Sequence, residues 1–270
     1  MAIKFVDRVP TRPGRIKITP ENGTAPWYGV MERADEPSVE GTPINATNLN
    51  AMQQNQGLSA NMRLYVDTSG SDSLGSGTSS APYATITKAL SMIPKALNGY
   101  SAVIDIKSGT YDEEVQVNGF SNGTIHFYST PGNNVTISKL EITSTSHFQT
   151  TNGWSLHVLN GIIITNNAFA YIEANITCSG AARGVQVARG SKAIFTGTVT
   201  LNNTTEFAAF VTGANLVIAT IAGSGNNTGI RATSGGVCAF VANSLTATVV
   251  FSTTSGGRIY SGAQTNIPNY

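Results

Sequence analysis

The chain has 270 residues, a formal net charge of +1 and only 11% charged side chains. A nearly neutral surface gives no general attraction for nucleic acid or an anionic membrane. So few charges also do not suit a compact helical enzyme, whose exposed helix faces need Lys, Glu and Arg. Abundant Gly, Ser, Thr and Asn instead suit stacked β-strands, with Thr inside strands and Asn and Gly at turns. The opening residues Met1 to Arg8 lack a continuous apolar signal region. No stretch approaches the roughly 18 uninterrupted apolar residues of a membrane helix. The expectation is a chain made in a cytoplasm that stays soluble and does not insert into a membrane.

Residues 1–63 hold six of the ten prolines, Pro10, Pro13, Pro20, Pro26, Pro37 and Pro43. So much proline argues against a central sheet and for an extended, ribbon-like segment that folds against a partner. Within it, Arg15-Ile-Lys-Ile-Thr19 alternates like a half-exposed strand. From Asn45 to Met62 the chain is polar and helix-compatible, either a linker or a short packed helix.

Residues 64–120 open with the strand Leu64-Tyr-Val66 and a Gly/Ser-rich loop, Asp67 to Ala81. A helix is predicted next: Pro82 precedes it, Thr85 can cap it, Ile86, Ala89, Leu90 and Ile93 form one apolar stripe, and Pro94 ends it. The β-branched runs Ala102–Ile106 and Val115–Val117 supply the surface for that stripe, so the helix reads as a cap on a β stack.

From residue 121 a turn followed by a short strand recurs, beginning at Asn167, Gly190, Gly213, Gly235 and Gly256, at intervals of 23, 23, 22 and 21 residues. Another short strand precedes each turn, as at Gly184-Val-Gln-Val, Phe207-Ala-Ala-Phe-Val and Gly229-Ile-Arg-Ala. A βαβ unit needs roughly 30 residues, so this period fits one coil of a parallel β-helix. About six such coils would stack to a height on the order of 30 Å. An antiparallel β-sandwich is the alternative. The predicted fold is all-β: a right-handed parallel β-helix with an N-terminal capping helix, preceded by the proline-rich segment, and with its body at 121–270.

Two stretches resemble known families. Lys4 to Pro20, continuing through Met31-Glu-Arg-Ala-Asp-Glu-Pro37 and Glu40-Gly-Thr-Pro-Ile-Asn45, resembles the N-termini of tail and baseplate-associated proteins of phages and prophages of Gram-positive gut bacteria. That resemblance implies virion attachment through Asp7, Arg8, Pro10, Pro13, Gly14 and Arg15. The stretches Leu64-Tyr-Val-Asp-Thr-Ser-Gly-Ser-Asp72, Pro82-Tyr-Ala-Thr-Ile-Thr-Lys-Ala-Leu90 and Gly109-Thr-Tyr-Asp-Glu-Glu-Val115 resemble the opening of pectin-lyase-like β-helices. There a loop, a capping helix and a Gly-Thr-Tyr turn lead into the first coils. The fold hosts lyases, hydrolases, tailspikes and inert fibres, so it does not settle the chemistry.

Candidate catalytic groups are sparse. Glycoside hydrolysis generally needs two carboxylates about 5–10 Å apart. Beyond residue 115 the chain has no Asp and only Glu141, Glu173 and Glu206, whose spacing of about one and a half coils keeps them off one face. Asp112, Glu113 and Glu114 read as solvated turn residues, and Asp67 and Asp72 as Asx-turn residues. His126, His147 and His157 lack a nucleophile motif. Cys178 and Cys238 read as small buried side chains. No catalytic residue, metal or cofactor is assigned. Trp154, Tyr171, Tyr260 and Tyr270 are candidates for stacking on sugar rings. The basic residues Lys139, Arg183, Arg189, Lys192, Arg231 and Arg258 show no cluster with interleaved aromatics, which speaks against nucleic acid.

The expectation is therefore a structural phage tail fibre or appendage, a homotrimer held in the virion by its N-terminus and displaying the β-helix to host-surface glycans. A baseplate or capsid adaptor and a glycan-depolymerising tailspike are the alternatives.

Overall fold

The structure, a computed structural model, describes residues 57–261 in full and residues 15–18, 27–30 and 265–266 as strands only. The chain divides into two compact units, Met1–Gln56 and Gly57–Tyr270. In the first, β1 (Arg15–Ile18) pairs antiparallel with β2 (Trp27–Val30), so the predicted strand belongs to a hairpin. Asp7, Arg8, Pro10, Pro13 and Gly14, most of the proline-rich segment and residues 45–56 lie outside the described residues. Arg15 opens β1.

The second unit begins with β3 (Met62–Val66), a helix α1 (Ile86–Ser91), β4 (Ser101–Ile106), β5 (Gly109–Asn118), β6 (Thr124–Tyr128) and β7 (Asn134–Thr143). Then follow β8 (Phe148–Thr150), β9 (Ser155–Val158), β10 (Ile162–Thr165), β11 (Phe169–Ile172), β12 (Asn175–Ser179) and β13 (Arg183–Ala188). The last are β14 (Lys192–Asn202), β15 (Phe207–Thr212), β16 (Asn215–Thr233), β17 (Val237–Thr254), β18 (Arg258–Ser261) and β19 (Thr265–Asn266).

From β3 to β18 every strand pairing is parallel, and the antiparallel contact of β18 with β19 comes only at the end. This is a parallel β-helix, and the facing antiparallel sheets of a sandwich are ruled out. The strands stack in three columns. The first runs β3, β4, β6, β8, β11 and then the opening residues of β14, β16, β17 and β18. The repeats beginning at Asn167, Gly190, Gly213, Gly235 and Gly256 all enter this column, and their turns stack: Asn167 N–H donates to Arg189, and Gly190 N–H to Gly213.

The third column holds the later parts of β5 and β7, then β10, β13, β15 and the later parts of β16 and β17, while the openings of β5 and β7 stand in the middle column beside β9. The strands predicted ahead of the turns lie here. The middle column, with β9 and β12, was not visible as a repeat, because β14, β16 and β17 run unbroken through the corner that separates it from its neighbours.

In most strands alternate residues point inward and stack on the residue one coil away. One such ladder is Ala102, Ile125, Phe148, Ala170, Ala193, Leu216, Cys238 and Ile259, all buried. Parallel stacking brings like beside like, so a modest apolar side chain at each level closes the core without interdigitating sheets. Buried hydroxyls satisfy backbone groups at the corners. Thr150 Oγ1 accepts from the N–H groups of Glu173 and Ala174, each at 3.0 Å, and Thr145 Oγ1 donates to Val117 at 3.0 Å.

Helix α1 buries Ile86, Ala89 and Leu90 against the stack, and Thr85 caps it by accepting from the Lys88 N–H. It ends at Ser91, before Pro94. The N–H groups of Met92 and Ile93 already bond three residues back, and the residue before a proline is pushed out of the helical region.

Candidate functional site

The outer face of the third column carries a cluster of interacting aromatic and charged side chains. In β13 and β15 two successive residues face inward, Gly184-Val185 and Ala208-Ala209. That irregularity puts residues three apart on the same outer face: Arg183 with Gln186, and Phe207 with Phe210. Small residues permit it, since a Cβ on Gly184 would sit 2.7 Å from the Ala208 carbonyl oxygen. Register then aligns Arg183 with Phe207 and Thr228 in one ladder, and Gln186 with Phe210 and Arg231 in the next.

The two phenyl rings stack at 5.1 Å and 21°. The Arg183 guanidinium lies 5.0 Å from the Phe210 ring centre and 5.8 Å from that of Phe207. From the following coil, Arg231 reaches back to within 5.2 Å of Phe207. Arg183 is also held by Glu206, Nε to Oε2 at 2.8 Å, and donates from Nη1 to Gln186 at 3.0 Å. Each cation–π contact is worth about 0.5–1 kcal/mol at such a partly exposed position, so the cluster is held together by several small terms.

Beside Phe207, at the corner between the middle and third columns, lies an open groove of about 690 Å³ lined by Asn203, Thr205, Gly225, Asn227, Thr246 and Thr248 among others. Its floor is the buried Asn226, whose amide uses its full hydrogen-bonding capacity. Oδ1 accepts from the N–H and hydroxyl of Thr204 at 3.1 and 2.8 Å, and Nδ2 donates to the carbonyls of Leu201 and Thr246 at 2.8 and 3.3 Å. The groove carries no charge of its own. Uncharged donors and acceptors beside aromatic rings suit a hydroxylated ligand.

The expectation that the basic residues form no aromatic cluster is therefore corrected for Arg183 and Arg231. In sequence they stand 24 and 24 residues either side of Phe207, which is close to one coil, and only the stacking joins them. The period itself was the signal that could have found them.

Trp154 is corrected as well. It is 1% exposed and its indole N–H donates to Thr151, so its faces belong to the core and cannot meet a sugar. Tyr171 and Tyr260 are half-buried on the outer face of the first column. Ile194, Val217 and Ala239 stand between them in the ladder, an offset of roughly 19 Å, so they do not share one sugar ring. Tyr270 lies outside the described residues.

Several of the acidic residues have identifiable partners. Gly109–Tyr111 is the start of β5, not a turn, and Asp112 and Glu113 sit at an irregularity in that strand. The reason is Tyr111, which is buried with its hydroxyl on the Lys107 carbonyl at 2.9 Å and so anchors the chain in the sheet. Glu113 is not merely solvated. It accepts from the N–H groups of Ile86 and Thr87 at 2.7 and 2.9 Å and, with Asp72 on Ala84 and Thr85, satisfies the start of α1.

Asp67 accepts from Ser69 as an Asx turn requires, and the hydrogen bond from Lys107 leads in holding its carboxyl down at about 2. Glu141 lies beside Lys139 at 3.5 Å. It is three strand spacings, roughly 14 Å, from the coil of Glu206, beyond the separation used in glycoside hydrolysis. Among the described residues no group of three metal-ligating side chains occurs, and no helix is long and apolar enough to cross a membrane.

Cys178 and Cys238 are free and buried, and burial pushes both thiols up to about 12.

Burial also pulls His126 and His147 below the usual histidine range, with the Arg63 charge adding to the effect at His126. Both leave a buried Nε2 without a partner. The unfolded chain therefore takes up these protons first. Stability should be full above about pH 6.5 and fall as acid carries the pH down toward the folded values. The thermal midpoint at pH 5 is expected below that at pH 7.5, and His126→Gln should remove part of the drop; equal midpoints would contradict this.

No family model, no curated protein and no solved structure matches this chain.

Proposed function

We propose that this protein is a phage tail fibre or appendage that docks to the virion through its N-terminal segment and holds a glycan-binding face on a rigid β-helix. The sequence of residues 4–45 supports the setting through its resemblance to tail-associated N-termini. The observation that carries adhesion is the outward Phe207–Phe210 pair, clasped by Arg183 and Arg231, beside an open groove of Asn and Thr. Aromatic faces stack on sugar rings, and amide and hydroxyl groups read their hydroxyls. A stack of short coils holds such groups in fixed relative positions, so little ordering is left to be done on binding. A homotrimer would present three such faces and raise avidity by about 10² to 10⁴ without new contacts.

Purified full-length protein is expected to bind cell walls of Gram-positive gut bacteria saturably, and Phe207→Ala with Phe210→Ala should weaken this by about tenfold or more. Absence of binding to any wall preparation would overturn adhesion in favour of an architectural adaptor. Release of new reducing ends or unsaturated sugars would instead establish a depolymerase.

A further inference from the structure

We infer that the Phe207 face takes an acidic saccharide, whose carboxylate or phosphate meets the Arg231 guanidinium while its neutral units lie in the adjoining groove. This rests on the adhesive reading above and names the ligand class of that site. The two arginines that clasp Phe207 are not equivalent. Arg183 is neutralised by Glu206 at 2.8 Å and tied to Gln186 at 3.0 Å. The Arg231 side chain has no ion pair and no hydrogen bond among the described residues; its interaction with Phe207 is through the ring face at 5.2 Å. Its Nε is sealed from solvent without a partner, which leaves the Nη groups as the donors for a ligand.

The neighbours of Arg231 across the ladders, Phe210 and Ser252, carry no charge. Arg183 and Glu206 cancel, so the cluster keeps one positive charge in excess. A guanidinium fork stacked on an aromatic ring and lacking an internal acceptor suits the paired oxygens of a carboxylate or phosphate. The groove lining carries no acid that would repel such a chain, and Glu206, next to Thr205 at its near end, is paired with Arg183. Sequence spacing hides this arrangement, because Arg231 lies one coil beyond the ring it covers.

The test measures binding of the full-length protein to three polymers: a phosphate-bearing polysaccharide, a polyuronate and a neutral dextran. At least one acidic polymer is expected to bind about tenfold more tightly than dextran, with affinity falling as salt is raised. Arg231→Gln should lose about tenfold toward that polymer and clearly less toward dextran, while Arg231→Lys, which keeps the charge but not the planar fork, should fall between Gln and wild type. The phosphate and uronate arms distinguish the two sources of the anion. Equal binding by wild type and Arg231→Gln, with unchanged thermal midpoints, would overturn the inference, as would a preference for dextran. Binding to dextran alone would sink this inference and leave the adhesive reading standing. Binding to none of the three and to no cell wall would sink both.

Discussion

Replacing Phe148 by alanine is expected to lower the stability of the β-helix by about 4 kcal/mol. The ring is fully buried and packs edge-on against Phe127, with centres 4.9 Å apart and planes at 79°. Its ladder neighbours are Ile125 on one coil and Ala170 on the next. Ala170 cannot reach into the space that is left, and the hydrogen-bonded coils on both sides resist collapse, so the cavity persists. The thermal midpoint should fall by roughly 8–16 °C, followed by circular dichroism. Val217→Ala is the control: this side chain lies on the outer face of the same column and is 37% exposed. It should cost less than about 1 kcal/mol. Equal effects from the two substitutions would mean that the inward and outward ladders are wrongly assigned.

The second large effect is expected at Asn226, where leucine keeps the volume but removes every polar contact. Its 3% exposed amide joins Leu201, Thr204 and Thr246 across three coils. Asn226→Leu would leave the Thr204 N–H and the Leu201 carbonyl without partners at a buried corner, at about 1–3 kcal/mol each. A loss of about 4 kcal/mol follows, with hydrogen-exchange protection falling first along residues 201–246. Asn227→Ala, one position on and exposed, should cost less than about 1 kcal/mol. If protection in that stretch survived Asn226→Leu, the amide would not be what ties the corner together.

The fold was legible because its period is short and its turns are chemically marked. Asn167, Gly190, Gly235 and Gly256 take positive φ, a conformation that Gly and Asn adopt at little cost, so the turns repeat in sequence as well as in space. The middle column left no such mark, because β14 and β16 run into it directly from the first column, and β14 passes the corner at a register shift between Phe195 and Thr198 rather than at a turn. The helix was legible from its cap and stripe. The second role of Glu113 was not, since its partner helix lies 26 and 27 residues back and only the coil closes that distance.

The site was harder still. A lone tryptophan in a sequence does not show its environment, and Trp154 is a core residue. Phe207 and Phe210 read only as members of a short strand, and it is the paired inward residues Ala208 and Ala209 that put both rings on the outer face. Their arginine partners come from the coils on either side.

The proposed role is that of a virion appendage whose β-helix turns the Phe207–Arg231 face toward the host. An electron cryomicroscopy map of the intact virion tests it most directly. Three copies of the β-helix are expected on the tail, with residues 1–50 in contact with a tail or baseplate protein and the Arg183, Phe207 and Arg231 ladders open to solvent. A map in which another virion protein covers that face, or a virion that lacks the chain, would contradict it.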